Sequence, residues 1–477
     1  MLSDVISKVL NYFISMIKFL TMAFMLICSI CVPQVGIGMP SFPNNELESD
    51  AKLYRQRSVK GIDRRSDAFI VIDSDLQASA LASKSLFERN NPIKSKLALE
   101  AFHQFKLGAG GVIGSPVYQS LYQAAKAILG DDFNEFIGHK GVDIKTFTRV
   151  YDQYHSLAED GRLIIWEPLD RTYIPKEVSE RFIYLWKGDK MNIIESSLVS
   201  HEISQITFNE AYNSLSLLKD GNFLQINPKT DQYVEIENLD IDLPIIKIFA
   251  SNEGWDIITK TGFFHLIARD PEKITWTHWP LGIKIVEAIK SQAGYFFLDG
   301  KQIYQFDDQT GEIDIIDLSL KMSPVKIAVD KQAKKLAVGY ASGEVGVHDL
   351  SNNEVLSNFI GHNSRISALE FGLKNRLYTA GLDRVVNVWN VTNENELPLQ
   401  LIDHQTFITS LFVHEESQRL VVGEIDGTLK YYELRPEKLV DLLCEAGVSP
   451  LTEVEWIQYV GDQLPYEPFE CQSTSDN

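Results

Sequence analysis

Residues 361–389 read GHNSRISALEFGLKNRLYTAGLDRVVNVW. Short β-rich runs alternate here with polar turns, the pattern of strands in a layered sheet. The stretch opens on Gly361-His362, and its last piece, DRVVNVW from Asp383, is a turn followed by a strand that ends on Trp389. The same unit recurs as DGRLIIW from Asp160, DGNFLQI from Asp220, TGFFHLI from Thr261, DGKQIYQF from Asp299, SGEVGVH from Ser342 and DGTLKYY from Asp426. With the second residue as register, the copies stand at 161, 221, 262, 300, 343, 384 and 427, spaced by 60, 41, 38, 43, 41 and 43 residues. All but the first spacing lie near the ~40-residue period of a four-stranded propeller blade.

Seven copies at that period predict a mainly β chain folded as a seven-bladed β-propeller. One blade alone cannot bury its two faces. Packing blades around a ring buries both, and closing the ring protects the strand edges. The long first spacing holds PLDRTYIPKEVSERFIYLWKGDK, extra strand or loop material between the first two copies.

Other residues repeat in register. Gly138-His139 precedes the first copy, Gly361-His362 the sixth and Asp403-His404 the seventh. Trp166 and Trp389 close the strands of copies one and six, where copies five and seven carry His348 and Tyr432. In these features the sequence resembles the WD-repeat (WD40) family. In that family a loop histidine, a strand Ser or Thr, a turn Asp and the Trp form one network per blade. Matched position by position, the resemblance implies His139, Ser156, Asp160 and Trp166 for blade one. It implies His362, Thr379, Asp383 and Trp389 for blade six, and His404 and Asp426 for blade seven. Blade seven departs from the pattern, with Val422 at the hydroxyl position and Tyr432 at the tryptophan position. Blades two to four lack most of the signature and rest on period and turns.

Buried Asp and His are costly unless hydrogen-bonded, and a network joining loop, strand and turn satisfies them. One such set per repeat indicates a structural role, since a catalytic triad needs a single convergence. No nucleophile elbow G-x-S-x-G occurs, and no cysteine and histidine spacing fits zinc. We therefore expect a non-enzyme with no cofactor and no metal. Loops on a rigid disc favour binding, and Arg384, just after Asp383, is a contact candidate.

Beyond the last copy, a short helix with Leu439, Leu442 and Leu443 on one face precedes a second helix over Glu453 to Val460, capped by Thr452 or Ser449. The order helix, Cys444, loop, EWIQY, Pro465-Tyr466, Cys471 resembles the tail of many bacterial WD-repeat proteins, usually written R-N-L-T-x-x-E-W-x-x-Y. Here Val448-Ser449-Pro450-Leu451-Thr452 precedes Glu455-Trp456, so the arginine and asparagine are missing. LYQAAKAIL at 121–129 resembles the helical linker of the same proteins.

Upstream of the repeats the texture is helical. Leu76, Ala80 and Phe87 fall on one face of a helix that Asp73 or Ser74 caps, with Leu81 beside it. Pro92 suits the first turn of a second helix, and Ser115-Pro116 opens a third. The glycines of LGAGGVIG at 107–114 lack the G-x-G-x-x-G spacing and a following P-loop lysine, so they read as a loop. The expected organisation is an N-terminal membrane helix or signal segment at 1–35, a linker at 36–69, a helical module at 70–135, the propeller at 136–436 and a helical tail at 437–477.

The apolar run FLTMAFMLICSICVPQV at 19–35 extends back to Val9, broken by Asn11, Ser15 and Lys18. It reads as a single membrane-spanning helix over residues 9–35, or as a cleaved signal peptide preceding an exported or periplasmic protein. Basic residues after the run, from Lys52 to Arg65, favour a cytoplasmic C-terminal side. Export would instead fit a disulfide between Cys444 and Cys471. The net charge of −20 gives no sign of a nucleic-acid binder. The expectation is a membrane-tethered or exported, bacterial protein-protein interaction platform for a protein or peptide partner. Alternatives are a structural component of a cell-envelope assembly and an enzyme with a propeller-borne active site.

Overall fold

The computed structural model describes residues 64–471, except 108–114, 138–140, 151–152, 159–162, 167–182, 185–205, 210–213, 220–221, 227–232, 237–244, 268–274, 319, 321, 373–374, 394–395, 415–417 and 462–465. The apolar stretch 9–35, the linker glycines from 108 to 114 and most of the material between the first two repeat copies lie outside the described residues. The chain divides into two compact units, Met1–Ala68 and Phe69–Asn477. The second unit carries all the described sheets and all but the first few described helical residues.

Three helices come first: α1 (Arg64–Phe87), α2 (Asn91–Leu107) and α3 (Ser115–Leu129). The Asn90 side chain accepts from the Ile93 amide at 3.2 Å, an N-cap bond that fixes the entry to α2. The sequence places Leu76 and Phe87 on the packed face of α1, but they are 65% and 88% exposed. The buried face is Ala78, Leu81, Ala82 and Ser85. This face runs at helical spacing and is mostly small side chains, and Ser85 Oγ donates to Lys94 O at 2.9 Å. The helix also starts well before the expected cap, at Arg64.

Seven four-stranded antiparallel sheets follow. They span 144–184, 206–236, 245–280, 287–316, 324–360, 366–401 and 408–433. The innermost strand of each packs on that of the next, and the seventh packs on the first, so the sheets form a closed, propeller-like ring. The seventh sheet takes its outer strand from far upstream. Glu135–Ile137 pairs antiparallel with Thr428–Glu433, Glu135 opposite Lys430 and Ile137 opposite Thr428. That strand ties the start of the ring to its end.

Burial follows the layers. Second strands such as Gly254–Thr259 and Lys335–Tyr340 are buried almost throughout, as expected for strands covered on both faces. The outer strand Thr275–Pro280 is mostly exposed. Five inner strands carry an irregularity at the same point, after Ile144, Ile245, Pro324, Ile366 and Ile408, where a bulge bends the strand.

Two helices complete the unit, α4 (Pro436–Glu445) and α5 (Glu453–Tyr459). Thr452 and Glu455 form a reciprocal capping box at the start of α5. Leu439, Leu442 and Leu443 of α4, Leu121 of α3, and Ile408, Val422 and Tyr432 of the seventh sheet share one hydrophobic core. The helices are therefore continuous with the edge of the ring. Cys444 and Cys471 are joined by a disulfide with Cα atoms 5.5 Å apart, inside the usual bridging range.

Candidate functional site

The sixth sheet shows how one repeat holds its loops. His362 Nδ1 lies 3.1 Å from Asp383 Oδ1, and His362 Nε2 lies 2.7 Å from Thr379 Oγ1. The Trp389 indole donates to the same hydroxyl at 3.0 Å. A neutral imidazole satisfies this set: it donates from Nδ1 to Asp383 and accepts the Thr379 proton at Nε2. Asp383 also takes the Asn363 amide at 2.8 Å, so loop, strand and turn are locked together. The histidine is 4% exposed, too enclosed to meet a substrate. A Cβ on Gly361 would meet Trp389 Cζ2 at 2.2 Å, which explains the glycine before the histidine.

The seventh sheet solves the same problem with different residues, and Asp426 is not one of them. His404 Nδ1 lies 2.9 Å from Glu424 Oε1, and the Asp426 carboxylate accepts only the Thr428 amide of its own turn, at 3.0 Å, among the bonds described. The register gives the reason. Ile366 pairs with Gly381 in the sixth sheet, and Ile408 pairs with Glu424 in the seventh. A Cβ on Gly381 would lie 2.6 Å from Asp383 Oδ1 and 2.7 Å from His362 Nδ1. A side chain at that register position therefore displaces the turn aspartate, and Glu424 supplies the carboxylate itself. The signal in the sequence is EIDG at 424–427 against GLDR at 381–384. Glu424→Ala is expected to cost about 1.5–3 kcal/mol, the loss of charged hydrogen bonds. Glu424→Gly, which leaves room for Asp426, should cost less. Urea unfolding of the two variants checks the order.

In the first sheet Ser156 is fully buried. Trp166 ends the third strand, whereas His139 and Asp160 lie outside the described residues.

Glu424 belongs to a larger buried cluster where the helices meet the ring. Tyr122 of α3 donates to Asp403 Oδ2 at 2.6 Å, and Tyr432 donates to Asp403 Oδ1 at 2.7 Å. The Tyr432 hydroxyl also lies 3.1 Å from His404 Nε2. Lys430, 2% exposed, donates to the Asp403 backbone oxygen and lies 3.5 Å from Glu135 Oε2 and 3.6 Å from Asp403 Oδ2. Burial pushes the Asp403 carboxyl up, but Lys430 and the two tyrosines outweigh it and hold the group below its ordinary value. Glu424 is likewise held low, burial being outweighed by bonds from His404 and Thr406.

A second polar cluster, which the repeat pattern does not foretell, joins the third and fourth sheets. Asp256, fully buried, meets His265 Nδ1 at 2.6 Å, Lys290 Nζ at 2.8 Å and the Tyr295 hydroxyl. Its only warning in the sequence is a lone charge inside the apolar run GWDIIT.

The solvent side of the sixth and seventh sheets has a different character. Arg384 is exposed and sits at φ +66°, in the left-handed region. The equivalent turn positions hold Gly300, Gly343 and Gly427, at +90°, +91° and +84°. A side chain there is strained, whereas glycine is not. Arg384 Nη1 reaches Gln405 O at 3.4 Å. Two residues on, Phe407 is 48% exposed and accepts the amide of Ile425, itself 43% exposed, at 2.9 Å. Beside them a cavity of about 300 Å³ is lined by Glu135, Gln405, Glu424, Asp426, Thr428 and Lys430. Strained arginine, exposed aromatic and charged hollow together make a surface fit to grip a partner. Among the described residues no group of His, Cys, Asp and Glu is arranged to hold a metal ion.

Residues 353–390 match the WD domain, G-beta repeat family model. That span contains the complete His362, Thr379, Asp383 and Trp389 set. The chain is 26% identical over 156 residues to the ribosome biogenesis protein ytm1 of Aspergillus niger, covering 29% of this chain and 32% of that one. The ytm1 of Neosartorya fischeri is 26% identical over 160 residues, covering 30% and 33%. The chain thus matches about a third of the length of these curated relatives. Among solved structures it is similar to the WD40 β-propeller domain of Doa1, with a TM-score of 0.48 and 12% identity over 64% of this chain and 98% of that one.

These relatives correct several expectations. They are fungal ribosome biogenesis proteins, so the bacterial attribution, the membrane-tethered, exported or periplasmic placement and the membrane partner are set aside. The exclusion of nucleic-acid partners is not retained either. No helix among the described residues is long and apolar enough to cross a membrane.

Proposed function

We propose that this chain is a non-catalytic protein-interaction platform whose binding face is formed by the loops of the sixth and seventh sheets, around Arg384, Phe407 and Ile425. The observation that carries the reading is Arg384, held in a strained conformation where the equivalent turns hold glycine. Strain kept on an exposed loop beside apolar side chains is what a contact residue would leave behind. The networks of His362, Thr379, Asp383 and Trp389, and of His404 and Glu424, position these loops and take no part in chemistry. The ring from about residue 136 to 436 is the platform, with the helical module and tail buttressing its edge. The names of the fungal relatives favour a partner that works in ribosome assembly.

The test uses the full chain and two variants. Arg384→Gly is expected to raise stability by about 1 kcal/mol through relief of the left-handed strain, while weakening partner binding. Phe407→Ala is expected to weaken binding about 30-fold with little change in unfolding midpoint, as for an interfacial aromatic anchor. Partners retained from native cells by the wild-type chain are titrated against both variants. Equal affinity for all three proteins would sink this reading.

A further inference from the structure

We propose that the Cys444–Cys471 disulfide is a redox-operated latch, closing the strap formed by residues 466–471 over the helical module and releasing it when reduced. One end of the bond is fixed. Cys444 lies on α4, whose Leu439, Leu442 and Leu443 are buried in the core shared with the ring. The other end is held more lightly. No residue of the strap is fully buried, Phe469 and Cys471 lie half-buried against the same core, and Tyr466 is 46% exposed.

The strap's described contacts are few, and mix hydrogen bonds with ring contacts. The Phe469 amide donates to Glu100 Oε2 at 2.9 Å, and the Phe469 ring packs against His103 with centroids 5.7 Å apart. The Tyr466 hydroxyl donates to Leu451 O at 2.7 Å, and its ring stands edge-on to Trp456. Beside the strap lies an open hollow of about 630 Å³, lined by His103, Leu451, Thr452, Tyr466, Pro468 and Glu470. A segment with no fully buried side chain, bordering a hollow, has few contacts to hold it besides its covalent link.

Beneath the strap are groups that opening would change. Glu100 is 1% exposed and takes Phe469 on one oxygen and Gln104 on the other. Trp456 is 2% exposed behind Tyr466. Both cysteines are half-buried, not fully enclosed. In the opening step an external dithiol attacks one sulfur of the bridge through its thiolate. The S–S bond breaks, the two cysteine sulfurs take up two electrons and two protons as thiols, and the dithiol closes to its own disulfide.

Hydrogen exchange of the full chain, read by mass spectrometry, tests the latch. With dithiothreitol, peptides containing Phe469 are expected to exchange at least ten times faster, while peptides from the sheets are unchanged. Cys471→Ser should show the fast exchange without reductant and no further response to it. Equal protection of Phe469 in both states overturns the proposal, because the strap would then hold without its bond. A rise in exchange throughout the sheets also overturns it, because the disulfide would then be a staple of the whole fold. So does peptide mapping that finds Cys444 and Cys471 unlinked in protein prepared without reductant.

Discussion

Asp403→Ala is expected to destabilise the chain by about 3–5 kcal/mol, measured by urea unfolding at neutral pH. The cost comes from what the substitution leaves behind. Lys430 remains 2% exposed, and among its described partners only Glu135 is a carboxylate other than Asp403. A buried charge stripped of its partner costs on that scale, more than the pair itself contributed. Tyr122 and Tyr432 each lose the acceptor of a short hydrogen bond in the same step. Tyr122 belongs to α3 and Tyr432 to the seventh sheet, so the helices and the ring lose one shared fastener. Tyr122→Phe removes a single bond to a charged group and should cost about 1.5–3 kcal/mol. An Asp403→Ala loss below about 1 kcal/mol would show that the cluster is not sealed from water.

The sign of the pH response follows from the same residues. Asp403 and Glu424 are both held below their ordinary values in the folded chain. Their contribution is fully present above the unfolded carboxylate range of about 4 and is lost as pH falls through the folded values. Acid should therefore loosen the junction between helices and ring.

The parts of this molecule written once per repeat are legible in the sequence; those made by residues meeting across the ring are not. The turn-and-strand unit recurs because every sheet repeats the turn between its second and third strands, and the fullest copy, at 361–389, falls within the span that matches a family model. The closing strand Glu135–Ile137 has no local mark. It is three residues long, and its partner stands at the far end of the ring. Position alone points the seventh network to Asp426, since the steric conflict behind Gly381 and Glu424 appears only once Cβ directions are known. The packed face of α1 is misplaced when large apolar residues are weighed above small ones. The buried face carries Ala78 and Ala82, while Phe87 stays in solvent.

Asp256 is the other residue whose loss should be severe. It sits in the second strand of the third sheet, and Lys290 and Tyr295 reach it from the fourth, so its carboxylate is a bolt between neighbouring sheets. Burial raises its pKa, but His265 and Lys290 outweigh that and hold it low. The hydrogen bond to Asp256 in turn raises His265, against the effect of burial, with Asp308 and Glu253 adding to the rise. Burial and then Asp256 push the Tyr295 hydroxyl up, so it stays a donor. Asp256→Ala is expected to cost about 3–5 kcal/mol, because Lys290 loses its counter-ion and the Tyr295 hydroxyl its acceptor. The pH profile separates this bolt from simple packing. The carboxylate's contribution is lost as pH falls below about 4, and the imidazolium's is complete below about 6.5 and lost as pH rises through the raised folded value. The stability gap between wild type and Asp256→Ala, followed by urea unfolding across pH, should thus be widest between about pH 4 and 6.5. His265→Gln should remove the decline on the alkaline side. A gap that falls in acid but shows no decline above about pH 6.5 would mean that Asp256 holds the sheets through Lys290 and Tyr295 alone.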